Sequence, residues 1–278
     1  FGTLPDATVN ASGPLTFCDG GSVVLSAVNG YTYLWNTGAT TSSITVTSGG
    51  SYFVTVTGAG GCTASSSVSN VAVNQNPVAS ISPGGPTNIC SNQSVSLTAS
   101  PLGTYLWSNG ETTQSINVNT SGNYVVTVTN VFGCSDSSLA INITSNPVPD
   151  ASVSVSGPLT FCSGGSVVFS ANPGYNYLWS TGETTQNITV TTTGNYFVTV
   201  TSGNCSAVSS VYSVIENTLP QAVISASGSL VLCPGQSVAL TVSSNDSYVW
   251  SNGVTTQTIV TDTTGIFSVT VTNIQGCT

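Results

Sequence analysis

Eight cysteines and nine carboxylates are the side chains best equipped for chemistry in this 278-residue chain, which contains no Lys, Arg, His or Met. The acids are Asp6, Asp19, Glu111, Asp136, Asp150, Glu183, Glu216, Asp246 and Asp262, scattered about two per 70 residues. General acid–base catalysis asks for groups that titrate near neutrality and for cations that orient a substrate. Neither is present, so no catalytic residue and no enzymatic role is expected. Calcium takes six to eight oxygens, several from carboxylates. Asp150 and Glu216 fall near predicted junctions but have no clustered acidic partners, so solvated loop acids are expected, with no metal and no cofactor. The cysteines form two series, Cys18, Cys90, Cys162, Cys233 and Cys62, Cys134, Cys205, Cys277, without CxxC or His spacing. That pattern points to structural disulfides in an oxidising compartment rather than to zinc.

The missing cations exclude further functions. Nucleic-acid affinity rests on Lys and Arg neutralising phosphates, and docking to anionic lipid rests on the same side chains. No run of about 18 apolar residues is present to span a membrane, and the chain does not open on a signal peptide. The content of Val, Thr, Ile, Tyr and Trp nevertheless marks a folded, β-forming chain rather than a disordered one.

The elements that position the cysteines come in four copies. Trp35, Trp107, Trp179 and Trp250 recur every 71 or 72 residues, as does each cysteine series, so the chain is a tandem array. Residues 1–5 read as the tail of a preceding repeat, because Thr3–Pro5 matches Thr218–Pro220. The repeats themselves are 6–76, 77–148, 149–219 and 220–278, the last cut before its final strand, as in a segment of a longer array. Repeats 1 and 3 share Ser-Gly-Pro-Leu-Thr-Phe-Cys, while repeats 2 and 4 share Trp-Ser-Asn-Gly and Val-Thr-Asn-x-x-Gly-Cys. This second period implies that a pair of repeats was duplicated as a unit.

Within a repeat the hydrophobic period is two. Val23, Leu25 and Ala27 share one face of strand B, and Tyr52, Val54 and Val56 share one face of strand F, with Gly50, Gly122, Gly194 and Gly265 supplying a turn before it. One buried and one Thr-rich face mean antiparallel sheets packed as a sandwich. The expected fold is therefore all-β: a tandem array of immunoglobulin-like antiparallel sandwiches of about six strands (A, B, C, E, F, G), with one disulfide per repeat. The four Trp residues are expected as core anchors. Strand E of repeat 4, with Ile259 and Thr261 inward and Val260 outward, leaves room for a bulge or slip.

Strand counting also yields a pairing. With no strand in the short turn Asn36–Ser42, the A–B and F–G connections share one end of the sandwich. The expected bridges are Cys18–Cys62, Cys90–Cys134, Cys162–Cys205 and Cys233–Cys277. Each would close about 44 residues and contribute roughly 4 kcal/mol. Reduction should remove the main covalent reinforcement, since a chain without Lys forms no Lys–Asn isopeptide bond. Trypsin should have no site in the segment even when it is unfolded.

The strings Tyr-Leu-Trp-Ser-Thr-Gly-Glu-Thr-Thr-Gln (177–186) and Thr-Thr-Gly-Asn-Tyr-Phe-Val-Thr-Val-Thr (192–201), with Phe-Cys-x-Gly-Gly-Ser-Val at 17–23 and 161–167, resemble the immunoglobulin-like and PKD-like repeats of giant Bacteroidetes surface proteins. The resemblance covers all four repeats. It departs from PKD repeats proper, which carry a Gly-Asp-Gly turn where this chain has Asn-Thr-Gly-Ala or Ser-Asn-Gly-Glu. It implies the shaft of an extracellular bacterial adhesin exported by type IX secretion, gliding-motility adhesins included. The expected function is a disulfide-stapled, protease-resistant spacer whose partners are the neighbouring repeats of the same chain. Two alternatives stay open: glycan-binding repeats, and a laterally self-associating filament or sheath. Tyr31 and Tyr175 in the B–C loops, and Phe53 and Phe197 facing outward on strand F, are the candidate surface contacts for either.

Overall fold

A computed structural model describes residues 2–243 and 246–278, so Phe1, within the expected tail of a preceding repeat, lies outside the described residues. Strands and turns make up the described chain, and no helix in it is long and apolar enough to cross a membrane. Two compact units divide the molecule, Phe1–Asn146 and Pro147–Thr278. Each contains two hydrophobic clusters, centred on Trp35 and Trp107 in the first and on Trp179 and Trp250 in the second.

Repeat 1 is built from β1 (Val9–Ala11), β2 (Thr16–Cys18), β3 (Val23–Ala27), β4 (Thr32–Trp35), β5 (Ser43–Val46), β6 (Gly50–Tyr52), β7 (Val54–Thr57), β8 (Thr63–Ser65) and β9 (Ser69–Asn74). One sheet has the order β1-β3-β5, and the opposite side is formed by β4-β7-β8 and β2-β9-β6. The expected strand A is split: β1 pairs antiparallel with β3, and the chain then crosses to the other sheet, where β2 runs parallel to β9. Strand F is broken at Phe53, between β6 and β7, and strand G is broken between β8 and β9. The six expected strands therefore appear as nine short segments, an immunoglobulin-like sandwich with a divided first strand.

Repeat 2 follows the same plan with β10 (Ser80–Pro83), β11 (Asn88–Cys90), β12 (Val95–Ser100), β13 (Thr104–Trp107), β14 (Ser115–Val118), β15 (Gly122–Tyr124), β16 (Val126–Thr129), β17 (Ser135–Ser137) and β18 (Ile141–Asn146). Repeat 3 supplies β19 (Val153–Val155), β20 (Thr160–Cys162), β21 (Val167–Ala171), β22 (Asn176–Trp179), β23 (Asn187–Val190), β24 (Gly194–Tyr196), β25 (Val198–Ser202), β26 (Cys205–Val208) and β27 (Tyr212–Asn217). Repeat 4 has β28 (Ile224–Ala226), β29 (Val238–Val242), β30 (Ser247–Trp250), β31 (Thr258–Thr261) and β32 (Val269–Thr272). Among the described residues no strand follows β32 to match β9, β18 and β27 of the other repeats. Residues 230–233 form no counterpart of β2, and Leu230 is 74% exposed where Leu15 and Leu159 pack against their cores.

The alternation read from the sequence sets the core. β3 buries Val23, Leu25 and Ala27, and β7 buries Val54 and Val56. Strand E of repeat 4 shows no slip: Val238 faces Thr261 and Leu240 faces Ile259, the register that Val23–Val46 and Leu25–Ile44 hold in repeat 1. Thr261 takes the place of a Val, and Val260 points to solvent.

Three of the four glycines expected to make a turn before strand F lie in strands instead, while Gly265 sits in a bend. Gly50, Gly122 and Gly194 begin β6, β15 and β24, and a Cβ at Gly194 would stand 3.2 Å from the Tyr196 ring. That ring needs the space because its hydroxyl donates back to Thr192 O, 3.0 Å away. Tyr52 and Tyr124 do the same to Ser48 O (3.0 Å) and Thr120 O (3.2 Å), the tyrosine-corner arrangement of immunoglobulin-like sandwiches. Phe267 has no hydroxyl with which to do so.

The connection from β4 to β5 decides where the cysteines lie. Gly38, at φ 88°, turns the chain, with Gly38 N–H donating to Trp35 O and Trp35 N–H to Ala39 O. Residues 39–42 then run back along the sandwich. Thr41 O accepts the Trp35 indole N–H at 2.9 Å, and Ser42 O accepts Ala27 N–H at 2.9 Å. Four extended residues cover about 13 Å, the span from Val23 to Ala27. The segment read as a short turn thus makes a full return without pairing in a ladder. It reverses the parity just as an extra D strand would. The same bonds recur at Trp107 with Thr113, Trp179 with Thr185 and Trp250 with Thr256.

Candidate functional site: the stapled repeat junctions

With the parity reversed, the two cysteines of a repeat stand at opposite ends of its sandwich. Cys18 ends β2 opposite Asn74, the last residue of β9, at the downstream end where the chain leaves the repeat. Cys62 lies just before β8, at the upstream end. Eleven extended residues between Thr63 and Asn74 correspond to roughly 35 Å, far beyond the 4.4–6.8 Å Cα separation of a disulfide.

The bridges run between repeats instead. Cys18 is bonded to Cys134 across 116 residues with Cα atoms 5.5 Å apart, and Cys162 is bonded to Cys277 across 115 residues with Cα atoms 5.6 Å apart. These two bonds overturn all four expected pairs, because each expected pair contains a cysteine that is bonded elsewhere or is free. Cys62 and Cys233 are free thiols, while Cys90 and Cys205 are disulfide-bonded. Each repeat's first cysteine lies at its downstream end and its second at its upstream end, so a bridge inside a two-repeat unit joins the exit of one sandwich to the entrance of the next.

The connecting peptide of the first unit is held on both sides. Towards repeat 1, Asp19 N–H donates to Asn74 O (2.9 Å) and Asn76 Nδ2 donates to Asp19 O (3.2 Å). Towards repeat 2, Asn130 Nδ2 donates to Gln75 O (2.9 Å) and Ala79 N–H donates to Asp136 Oδ2 (3.1 Å). The Cys134 sulfur lies 3.9 Å from Asn74 O.

Asn130 organises the loop that carries Cys134. Its Oδ1 accepts the N–H groups of Phe132 (3.0 Å) and Cys134 (3.1 Å), and Gly133, at φ 80°, closes the turn. Asn273 repeats the device in the second unit: Nδ2 to Thr218 O at 2.8 Å, and Oδ1 to the N–H groups of Gln275 (3.1 Å) and Cys277 (2.9 Å). Sequence reasoning passed over these two asparagines, although the shared Val-Thr-Asn-x-x-Gly-Cys string was visible. The string occurs in repeats 2 and 4, which carry Cys134 and Cys277 of the two bridges; Gly58 occupies the position of the asparagine in repeat 1. Asn130→Ala should cost about 1–2 kcal/mol, since it deletes three hydrogen bonds at a partly exposed site. Chemical denaturation of the oxidised chain checks this, with Asn117→Ala, at an exposed position of β14, as the control.

Asp6 and Asp150 follow Pro5 and Pro149 at the upstream ends of repeats 1 and 3. The Thr8 hydroxyl and N–H hold the Asp6 carboxyl below its ordinary range, and the Ser152 N–H and hydroxyl, aided by Asn172, do the same for Asp150. A carboxylate whose folded pKa is depressed contributes stability above its unfolded value, near 3.9, and loses it as pH falls through the folded value. No His titrates in between, so the melting temperature should stay level from about pH 5 to 7 and fall only below about pH 4. Calorimetry across that range tests it, and a step centred near pH 6.5 would contradict it.

The remaining candidate residues are placed as follows. Trp35, Trp107, Trp179 and Trp250 are buried within their own repeats. Tyr31 and Tyr175 are half-buried against the cores of repeats 1 and 3, and the Tyr31 hydroxyl accepts Asp6 N–H at 3.2 Å. They are therefore not free-standing platforms. Phe53 is exposed and Phe197 half-buried, each at the break in strand F. No two of these four aromatics share a ring contact among the described residues. No group of three or more metal-ligating side chains occurs among the described residues either.

No protein-family model and no curated protein sequence matches the chain. Among solved structures it is similar to an ICAM-5 D1–D4 ectodomain fragment, at 13% identity and TM-score 0.42, over 96% of this chain and 95% of that one. It is also similar to domains 3–5 of the extracellular part of Drosophila OTK, at 14% identity and TM-score 0.34, over 78% of this chain and 100% of that one. Murine CEACAM1b gives 13% identity and TM-score 0.29 over 50% of this chain and 99% of that one. The fold itself rests on the chain's own strand order: all-β, immunoglobulin-like sandwiches carrying disulfides.

Proposed function

We propose that this chain is a load-bearing shaft segment of an extracellular surface protein, built from four sandwich repeats with boundaries near residues 77, 149 and 220. The observation that carries the reading is that both Cys18–Cys134 and Cys162–Cys277 bridge a junction between repeats. A disulfide inside one sandwich would protect that sandwich alone. A disulfide across a junction carries tension past the connecting peptide, and most of both sandwiches lies inside its loop. Disulfides of this kind persist in oxidising surroundings outside the cell, and the cation-free surface offers no trypsin site. The resemblance of residues 177–186 and 192–201 to repeats of bacterial surface adhesins extends the reading to a bacterial cell surface and type IX export. The role is mechanical, not enzymatic. A second reading, lateral packing of shafts, is favoured by Leu34, Leu106, Leu178 and Val249, which are more than half exposed at one equivalent position in every repeat.

Force spectroscopy on the full chain tests the shaft reading. Oxidised, the stretch from Cys18 to Cys134, a sequence separation of 116, is shielded from extension. Reductant should release about 400 Å of additional contour length from that unit, at about 3.5 Å per residue. Equal contour lengths with and without reductant would contradict the proposal.

A further inference from the structure

Three Asn-Gly dipeptides occur in the chain: Asn29-Gly30, Asn109-Gly110 and Asn252-Gly253. Glycine after asparagine leaves its amide nitrogen open to attack the Asn Cγ, because no Cβ stands in the way. All six residues are exposed. The three glycines have similar backbones, with φ of 102°, 89° and 81°, and a Cβ at any of them would meet nothing within 4 Å. Space therefore does not distinguish the three sites.

Their hydrogen bonds do. Gly110 and Gly253 close the turn after strand C, where Gly110 N–H donates to Trp107 O (2.9 Å) and Gly253 N–H donates to Trp250 O (2.8 Å). The Asn109 side chain is held as well, with Oδ1 accepting Glu111 N–H (3.2 Å) and Nδ2 donating to Glu111 Oε1 (3.1 Å). Asn252 Oδ1 accepts Val254 N–H at 3.2 Å. These bonds engage both the nitrogen that would attack and the amide it would attack, so reaction there waits on opening of the turn. Asn29-Gly30 lies in the B–C loop of repeat 1, just before β4. Among the described residues neither the Asn29 side chain nor Gly30 N–H has a hydrogen-bond partner. The loop is held on either side of the dipeptide instead: the Tyr33 hydroxyl donates to Val28 O at 3.1 Å, and Tyr31 packs against the core. The same loop reads Pro101-Leu102 in repeat 2 and Pro173-Gly174 in repeat 3, so neither carries the dipeptide.

We propose that Asn29 is a self-modifying site, which deamidates through a succinimide in the folded chain while Asn109 and Asn252 stay protected. Gly30 N attacks Asn29 Cγ. The N–Cγ bond forms, the Cγ–Nδ2 bond breaks, and Nδ2 leaves as ammonia with the proton lost from Gly30 N. Water then adds to either carbonyl carbon of the ring and breaks its bond to Gly30 N or to the other arm, leaving aspartate or isoaspartate at position 29. Water is the only co-reactant, and no atom changes oxidation state. The product adds one negative charge to a chain whose formal net charge is -9. A chain kept for long outside the cell thus carries a mark of its own age at the upstream end of repeat 1.

The test incubates the full oxidised chain for days at neutral pH and physiological temperature, then digests it with chymotrypsin. Peptides 26–31, 108–124 and 251–267 contain one dipeptide each, and tandem mass spectrometry reads the mass gain of amide-to-acid conversion at each asparagine against an unincubated sample. The proposal expects Asn29 to convert at least about tenfold faster than Asn109 and Asn252, because only the latter two must open a turn first. With the bridges reduced and the chain held in denaturant, the three rates should come within about threefold of one another. A smaller ratio in the folded chain overturns the inference, and so does an Asn29 that stays unconverted. A preference for Asn29 that persists in denaturant overturns it too, since the selectivity would then lie in the neighbouring residues and not in the fold.

Discussion

Replacing Cys18 and Cys134 together by serine is expected to destabilise the Phe1–Asn146 unit by about 2–5 kcal/mol, the usual range for loss of a native disulfide. The bond spans 116 residues, and the chain-entropy model puts a loop of that size near 5 kcal/mol. For a unit of this length the loss corresponds to a melting temperature lower by roughly 5–15 °C. The size of the effect does not separate this bridge from the bridge within a repeat that the sequence suggested, because a 44-residue loop gives roughly 4 kcal/mol in the same model. Its location does. A bridge between repeats 1 and 2 couples them, so the serine pair should weaken hydrogen-exchange protection in β3 of repeat 1 and in β16 of repeat 2 alike. Loss confined to one repeat would count against the junction staple.

The second large effect is expected at Trp107. This side chain is 2% exposed, and its indole N–H donates to Thr113 O at 2.8 Å. It therefore fills the core of repeat 2 and also fixes the return segment after β13. Trp107→Ala should cost about 3–5 kcal/mol through the cavity alone, with Thr113 O losing its partner besides. Trp107→Phe keeps much of the volume and loses only the donor, so it should cost about 1–3 kcal/mol. Denaturant titration of both variants separates packing from the hydrogen bond, and a Trp107→Phe variant as stable as the unmutated chain would show that the indole N–H contributes nothing.

The return segment also explains what could and could not be read from the sequence. Alternation in Val23, Leu25 and Ala27, and in Val54 and Val56, is imposed by burial of one face, so the sandwich and its repeat length were visible directly. The pairing was not. It depended on residues 39–42, which make no ladder and carry little hydrophobic pattern, yet run back along the sandwich from Trp35 to Ala27, held by two hydrogen bonds from Trp35 and one from Ala27. Reading them as a turn placed Cys18 and Cys62 at one end when they stand at opposite ends. The split of the first strand was hidden for a similar reason: residues 12–15 change sheets without a break in composition. At the junction, Asn130 and Asn273 were legible as a shared motif, but their partners Gln75 O and Thr218 O are backbone groups, which no sequence pattern marks.

The measurement that bears most directly on the stapled shaft is a disulfide map of the unreduced chain after chymotrypsin, which cleaves beside Phe17, Leu25, Phe132, Leu139, Phe161, Phe169 and Phe267. The staples predict that peptide 18–25 is joined to peptide 133–139, and peptide 162–169 to peptide 268–278. Peptide 18–25 joined instead to the fragment containing Cys62, with peptide 162–169 joined to the fragment containing Cys205, would return each bridge to a single repeat and contradict the account.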